Sequence, residues 1–467
     1  MLFEFQKYIY PTWYYNWPGQ GSSRYWVDVR SRPEAYDQVK LDSGYHSEGA
    51  AVKDAAYQAI NGELPVHCSR FLGPDDLKMV TDRKDNYRFA RKYVHGLWSV
   101  YILVIRLFTL HNPFLEISAF WKSRKVPRFI PQREFKLTEE LTRFESPLLA
   151  ESPLVTVIIP TLNRYVYLKD ALLDLQAQDY GNFEVVVVDQ TENFLPAFYE
   201  GWKMKVTVIH QLEKALWKAR NDAVTRSSAR YLLLFDDDSR VAPDWIRQHL
   251  KCLDFFKVDI SSGISLSKVG DAVPYNYSFF RWSDQLDTGN VMIRRSVFEK
   301  IGLFDRQFEK QRMGDAEFGF RAYSFGFENV SNPLAMRIHL KVNEGGLRQM
   351  GSWDAYRPTK WFAPKPVPSV LYYYRKYFGN EMAVYELLKR VPFSMMPYWL
   401  KKSKVLKVLS FPLALLLSPI ALIQVALSWR LASEKLNAGA KIEVLEAQSA
   451  DQTEILNRDD RPGSHLN

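Results

Sequence analysis

The sequence predicts an α/β fold organised on a mostly parallel sheet, and three observations carry the prediction. Val155-Thr-Val-Ile-Ile-Pro160, Phe183-Glu-Val-Val-Val-Val-Asp189 and Tyr231-Leu-Leu-Leu-Phe-Asp-Asp-Asp-Ser239 are short runs dominated by apolar residues. Runs of this kind read as strands buried on both faces of a sheet. Segments 167–178 and 213–227, lying between them, have helical periodicity. The second and third runs end in acids, always on the same side. Strands alternating with helices in this way form a parallel sheet, and such sheets bind ligands beyond the carboxyl ends of their strands. That edge would gather Asn163, Asp189, Asp236, Asp237 and Asp238.

Residues 1–150 precede this unit. Tyr8, Tyr10, Trp13, Tyr14, Tyr15, Trp17 and Trp26 make an aromatic start broken by Pro11 and Pro18, expected to form a small β unit or a cover for the next domain. Segment 96–105 is strongly apolar but shorter than the ~20 residues a bilayer span needs, so a buried or interfacial helix is expected. Lys122, Arg124, Lys125, Arg128 and Arg133 follow as a basic stretch, and 141–153 leads into the α/β unit. There the first strand closes at Pro160, Thr161-Leu-Asn-Arg164 forms a loop, and 206–210 is a third short strand.

The chemistry centres on the acidic triplet. Three adjacent carboxylates repel unless a positive charge sits among them. Asp236 and Asp238, two apart on a turn, can face one divalent cation, and hard oxygen ligands suit Mg²⁺ or Mn²⁺. A solvated acidic turn is the plainer reading of such a triplet. No Gly-x-Gly-x-x-Gly and no Gly-x-x-x-x-Gly-Lys-Ser/Thr occurs, which disfavours a dinucleotide fold and a P-loop. The net charge of +9 suits an anionic partner. A nucleic-acid role does not explain acids at the strand ends, so none is expected. Cys68 and Cys252 are the two cysteines, which excludes a disulfide framework and fits a reducing compartment. No basic and apolar secretory leader opens the chain.

Residues 155–164, 185–189, Ala219-Arg-Asn221 and Phe235-Asp-Asp-Asp-Ser-Arg-Val-Ala-Pro-Asp-Trp245 together resemble a family 2 glycosyltransferase of the GT-A fold. The resemblance continues through Asp287-Thr-Gly-Asn290 and its sequel to Asp305, and through Gly314-Asp-Ala-Glu-Phe-Gly-Phe-Arg321, covering about residues 153–345. It implies a metal-dependent enzyme that inverts the anomeric centre of a nucleotide-activated sugar, with UDP- or dTDP-sugars favoured. By residue, it implies that Pro160, Thr161, Asn163, Arg164 and Asp189 grip the nucleotide base, with Arg220, Asp236 and Asp237 on the rest of the nucleotide. It further implies that Asp236, Asp238 and His339 hold the metal. Asp315 is implied as the general base, with Glu317 as the fallback; Trp282, Asp284, Asp287, Thr288, Gly289 and Asn290 are expected around the sugar and acceptor. On position alone, Asp189 reads equally as a helix cap or turn residue, and Asp315 and Glu317 as the acidic first turn of a helix. The chain departs from the family in lacking a Glu before Asp315 and in carrying Gln190-Thr-Glu-Asn193 where a Ser/Gly-rich turn is common.

Downstream, residues 365–407 hold nine Lys/Arg against Glu381 and Glu386, and 408–429 are free of charge. That run has the length to cross hydrocarbon, with Pro412 and Pro419 favouring an interfacial alternative. Basic residues ahead of it, among them Arg390, Lys401, Lys402, Lys404 and Lys407, predict a cytoplasmic catalytic domain. The expected organisation is an accessory region (1–150), a GT-A domain (151–345), a basic and apolar membrane-associated helical region (346–435) and a mobile tail (436–467). The expected acceptor is a sugar or lipid-linked hydroxyl at the membrane surface. A nucleotidyltransferase of related fold and a non-catalytic nucleotide-sugar binding module are the competing readings.

Overall fold

The computed structural model describes residues 1–17, 26–30, 39, 41–63, 71–130, 135–267, 270–342, 355–358, 360–395 and 417–446. The N-terminal region is helical. Its main elements are α1 (Glu48–Ile60), α2 (Arg83–Tyr93), α3 (Gly96–Phe108) and α4 (Pro113–Lys122). Ser47, Asp82 and Asn112 cap α1, α2 and α4 by accepting from free N–H groups of the first turn. Instead of a β unit, the aromatic start forms part of a shared core. Phe3, Phe5, Tyr8, Tyr14 and Tyr15 are buried in one apolar cluster with Phe304, Phe318, Phe320, Tyr372 and Tyr373. The Tyr14 and Phe320 rings meet edge to face at 5.1 Å, a favoured aromatic geometry.

The sheet follows. Strands β1 (Val155–Thr161), β2 (Phe183–Asp189), β3 (Lys205–His210) and β4 (Tyr231–Phe235) alternate with α5 (Tyr165–Gln176) and α6 (Leu216–Arg226). β1 pairs in parallel with β2 and β4, and β2 with β3. Beyond β4 the sheet is mixed, which corrects the expectation of a mostly parallel one. Strands β5 (Ser239–Val241), β6 (Ile260–Leu266), β7 (Arg281–Trp282), β8 (Asn290–Arg294) and β9 (Asn329–His339) give the order β3-β2-β1-β4-β8-β6-β9-β5, with β7 beside β9. β8 runs antiparallel to both β4 and β6. Helix α7 (Trp245–Phe256) connects β5 to β6, and α8 (Gly314–Ser324) precedes β9.

Asn290 belongs to this frame and not to a pocket wall. It is fully buried at the start of β8, accepts from Trp245 Nε1 at 2.8 Å, and donates to the carbonyls of Ile264 and Ala335. Its amide thereby ties α7, β6 and β9 to β8.

The chain ends in α9 (Pro368–Ser394), broken at Gly379, and α10 (Ser418–Ala438). α10 buries Ala421, Gln424, Ser428 and Ala432. It is held to α9 by Arg375, which donates to Ser433 Oγ at 2.8 Å and lies 4.2 Å from the Trp429 ring centroid. The expected C-terminal membrane helix is therefore corrected where it can be seen: residues 418–429 open a helix that continues into Arg430, Glu434 and Lys435 and packs on the protein. Among the described residues, no helix is long and apolar enough to cross a membrane. Residues 408–416 of the apolar run, with Lys401, Lys402, Lys404 and Lys407, lie outside the described residues, as do 447–467 of the tail. The start of the tail is held in place. Leu303 N–H donates to Glu443 O at 2.8 Å and Lys441 N–H to Asp305 Oδ1 at 2.9 Å.

Asn290→Ala should destabilise the fold by on the order of 3 kcal/mol, because it strands the buried Trp245 N–H and two carbonyls. Denaturant titration checks this, and a loss confined to activity with unchanged stability would contradict it.

Candidate active site

The register of the strands assembles the site. Thr161 at the end of β1 lies level with Asp189 at the end of β2, and Asp189 with His210. The acidic triplet occupies the turn from β4 into β5. β5 then pairs antiparallel with the end of β9, setting Ser239 opposite His339. A hundred residues of chain are closed by that pairing, and His339 comes to stand beside the triplet.

The three acids have different surroundings. Asp236 Oδ1 accepts from Arg220 at 3.0 Å and Oδ2 from Arg337 at 2.8 Å. Asp237 accepts from Thr161 Oγ1 at 2.8 Å and from Arg164 at 3.0 Å. Asp238 lies 3.3 Å from Arg164 and 3.3 Å from His339 Nε2. Arg337 uses every N–H it has. It reaches Asp236, Ser239 Oγ, Ser265 Oγ and both oxygens of Asp287 at 3.0 and 2.8 Å. Four carboxylates thus face three guanidiniums, leaving a surplus of negative charge. Burial raises the Asp237 carboxyl and Asp238 adds to the rise. Arg164 pulls the other way and loses, so the group is pushed up to about 7. At Asp287 burial acts in the same sense, but Arg337 outweighs it and holds the carboxyl below its usual range.

Asp236, Asp238 and His339 each offer a ligand atom, and these atoms lie within 4.8 Å of one another. Two carboxylates and an imidazole suit a divalent cation, and the surplus charge favours one. The donor set therefore fits a metal. Asp238 and His339 are the better-placed ligands, because both oxygens of Asp236 already accept from arginine.

A cleft of about 820 Å³ opens beside this cluster, and Asp287, Arg337, His339, Asp315, Trp13 and Lys389 are among the residues lining it. Asp315 stands in the first turn of α8, where its carboxylate accepts from the Ala316 N–H at 2.8 Å. Gly314 allows α8 to start there: a Cβ at this position would lie 2.3 Å from the Trp217 ring. Trp217, in turn, lies under Arg220, 5.3 Å from ring centroid to guanidinium. Gly289 is required in a similar way, since a Cβ there would fall 2.0 Å from Arg337 and 2.2 Å from Asp236.

Several expected residues stand elsewhere. Glu317, the fallback base, is fully buried, paired with Arg321 at 3.1 Å and Lys376 at 3.3 Å, and bonded by Tyr377. It anchors α8 to α9 and is not among the residues lining the cleft. Trp282, Gly289 and Asn290 do not line it either; Asp284 and Asp287 do. Pro160 and Thr161 are buried at the end of β1, Asn163 is exposed at φ 55°, and Thr288 serves through its carbonyl, which accepts from Arg220. Asp189 is buried and accepts from the Tyr165 and Tyr199 hydroxyls at 2.6 and 2.8 Å and from Thr191 N–H. A nucleotide base reaching Asp189 would replace one of those hydroxyls.

Sequence reasoning missed Arg337, and it missed the part that the N-terminal region takes in the site. Trp13 Nε1 donates to Asp284 at 2.6 Å, and Tyr10, Trp13 and Tyr14 line the cleft. The aromatic density of the first 17 residues was the available signal; nothing in it distinguished packing from lining.

Residues 156–326 match the family model for glycosyl transferase family 2. That segment is a family 2 glycosyltransferase domain. The chain is 25% identical over 214 residues to EpsH of Bacillus subtilis (strain 168), covering 41% of this chain and 62% of that one. It is 24% identical over 233 residues to the chondroitin synthase of Escherichia coli, covering 48% and 30%. The matches span less than two-thirds of these relatives' own length. Among solved structures, TarS 1–349 of S. aureus in complex with UDP-GlcNAc aligns with a TM-score of 0.37 at 16% identity, over 63% of this chain and 97% of that one.

Removing the Glu317 carboxylate strands Arg321 in the core, so Glu317→Gln should cost about 3–5 kcal/mol in unfolding free energy. Burial would raise Glu317, but Arg321 and its other partners hold it below its ordinary value of 4.5. Its contribution is therefore complete above that value and is lost as pH falls through the lower folded-state value. Denaturant melts over an acid series should show this part of the acid slope in the wild type and not in the variant.

Proposed function

We propose that this chain transfers a sugar from a nucleoside-diphosphate donor to an acceptor hydroxyl in a single displacement that inverts the anomeric centre. One observation carries the reading: Asp315 lines the same cleft as His339 and Arg337, which border the acidic cluster. A proton acceptor thus faces a diphosphate-holding rim across a space large enough for a sugar. The acceptor oxygen attacks the anomeric carbon, and its proton passes to a carboxylate oxygen of Asp315. The bond from that carbon to the diphosphate breaks, and the nucleoside diphosphate leaves with the electron pair. No enzyme nucleophile is required.

Asp238 and His339, with Asp236, would hold Mg²⁺ or Mn²⁺. Such an ion, when bound, offsets the charge that grows on the leaving diphosphate. Arg164 and Arg220 keep the acidic turn fixed, so little reorganisation is needed when charge develops. Thr161, Asn163, Arg164 and Asp189 take the nucleotide, with UDP- or dTDP-sugars as the first donors to test. The acceptor is a sugar or lipid-linked hydroxyl presented at the cytoplasmic face of the membrane. The net charge of +9 supports contact with an anionic membrane surface.

Asp315→Asn should lower turnover by roughly 10²–10⁴-fold while leaving nucleotide binding near wild type. Asp238→Ala should abolish metal-dependent turnover. Release of nucleoside diphosphate across a panel of nucleotide sugars, read with and without added metal, checks both. Wild-type transfer by Asp315→Asn would remove it from the mechanism. A chain that binds nucleotide sugars but releases no nucleoside diphosphate would be a binding module instead.

A further inference from the structure

Helices α3 and α4 form a hairpin that carries large apolar side chains on its outer side as well as on its inner one. α3 buries Ser99, Ile102 and Arg106, and α4 buries Glu116 and Ala119. Inside the hairpin, Glu116 accepts from Arg106 at 2.8 Å, from Arg83 at 2.6 Å and from the Tyr87 hydroxyl at 2.9 Å. Outside it stand the large apolar side chains. Phe108, Leu110 and Phe114 at the turn are 83%, 93% and 83% exposed, and Leu97 and Trp121 are 71% and 61% exposed. Amphipathic surface helices keep their outer side polar, whereas here Ile102 and Ala119 face the core beside the charged pair and large apolar side chains also face out. A continuous exposed patch of this kind marks an interaction surface.

The charges around it select the partner. Between Val94 and Ile130 the sequence has one acid, Glu116, and that one is buried in the pair just described. Lys122, Arg124, Lys125 and Arg128 are all exposed. The Arg124 guanidinium lies 4.5 Å from the Trp121 ring centroid, so an indole and a cation share the rim of the patch. Apolar side chains at a turn, an aromatic rim and a row of exposed cations with no acid between them in sequence match the layers of an anionic bilayer surface: acyl chain, interface and headgroup. At 13 and 10 residues, neither helix can span hydrocarbon, so the contact is interfacial.

The hairpin is also joined to the active site. A second cavity of about 350 Å³ lies at its foot, lined by Val94, Trp98 and Phe393 together with Tyr10, Lys389 and Arg390. The last three also line the catalytic cleft. We infer that the α3–α4 hairpin docks the enzyme on an anionic lipid surface, with the acceptor end of the cleft turned toward that surface. This deepens the membrane location proposed above. It moves the lipid contact from the C-terminal apolar run to the N-terminal region.

The test is flotation of the full-length chain with phosphatidylcholine vesicles and with vesicles containing roughly one-third phosphatidylglycerol. The wild type should float with the anionic vesicles, and added salt should weaken this. The triple variant Phe108→Ser, Leu110→Ser, Phe114→Ser should bind roughly tenfold or more weakly. So should Arg124→Glu with Lys125→Glu, which tests the charge arm and spares the apolar side chains. Both should keep the wild-type rate of nucleoside diphosphate release when the sugar is transferred to a soluble acceptor or to water. A wild type that floats with neither vesicle overturns both this inference and the membrane location. Variants that float as well as the wild type overturn the hairpin alone. A wild type that is dimeric in light scattering, with monomeric variants and unchanged flotation, makes the patch a contact between copies and also overturns it.

Discussion

The site depends on a buried guanidinium. Arg337 is 2% exposed, and its five N–H groups end on two carboxylates and two hydroxyls from the β4–β5 turn, β5, β6 and the loop before β8. Burying an arginine is costly unless every donor is matched. Here each is matched, and the charge fixes the geometry of the acids around it. Arg220 and Arg164 extend the same arrangement to the other side of the triplet. Without these cations, three consecutive aspartates at a buried strand end would repel or take up protons. The rise of Asp237 to about 7 comes first from burial, with the Asp238 charge adding to it and Arg164 offsetting only part.

This constraint accounts for the antiparallel pairing of the end of β9 with β5. Arg337 and His339 both come from the last turn of chain before the described catalytic region ends, and both must arrive at a strand edge laid down a hundred residues earlier. Antiparallel pairing with β5 delivers them together, two residues apart on one strand and therefore on one face.

The parallel half of the sheet was legible because its strands are continuous apolar runs with acids at one end. Val155 to Thr161, Phe183 to Asp189 and Tyr231 to Phe235 fall where periodicity alone puts them. β5 and β7 were not legible: three and two residues carry no period. The acidic triplet and Asp315 stood out by residue type. Arg337 did not, because a lone arginine in a strand looks like any other, and its role exists only through partners far away in sequence. Asn290 and Glu317 misled for the same reason. Their chemistry suits a pocket, but the structure spends it on holding elements together. The α3–α4 hairpin was half visible: its apolar length could be read, but the side that faces outward could not.

Trp217 leans on Arg220 with one face and fills the space above Gly314 with its edge, so the acidic turn and the start of α8 rest on the same indole. The two reactive ends of the cleft then cannot drift apart independently. Positions 217, 220 and 314 form an epistatic set: a larger residue at 314 is tolerated only with a smaller ring at 217, and a smaller ring loosens the guanidinium it supports.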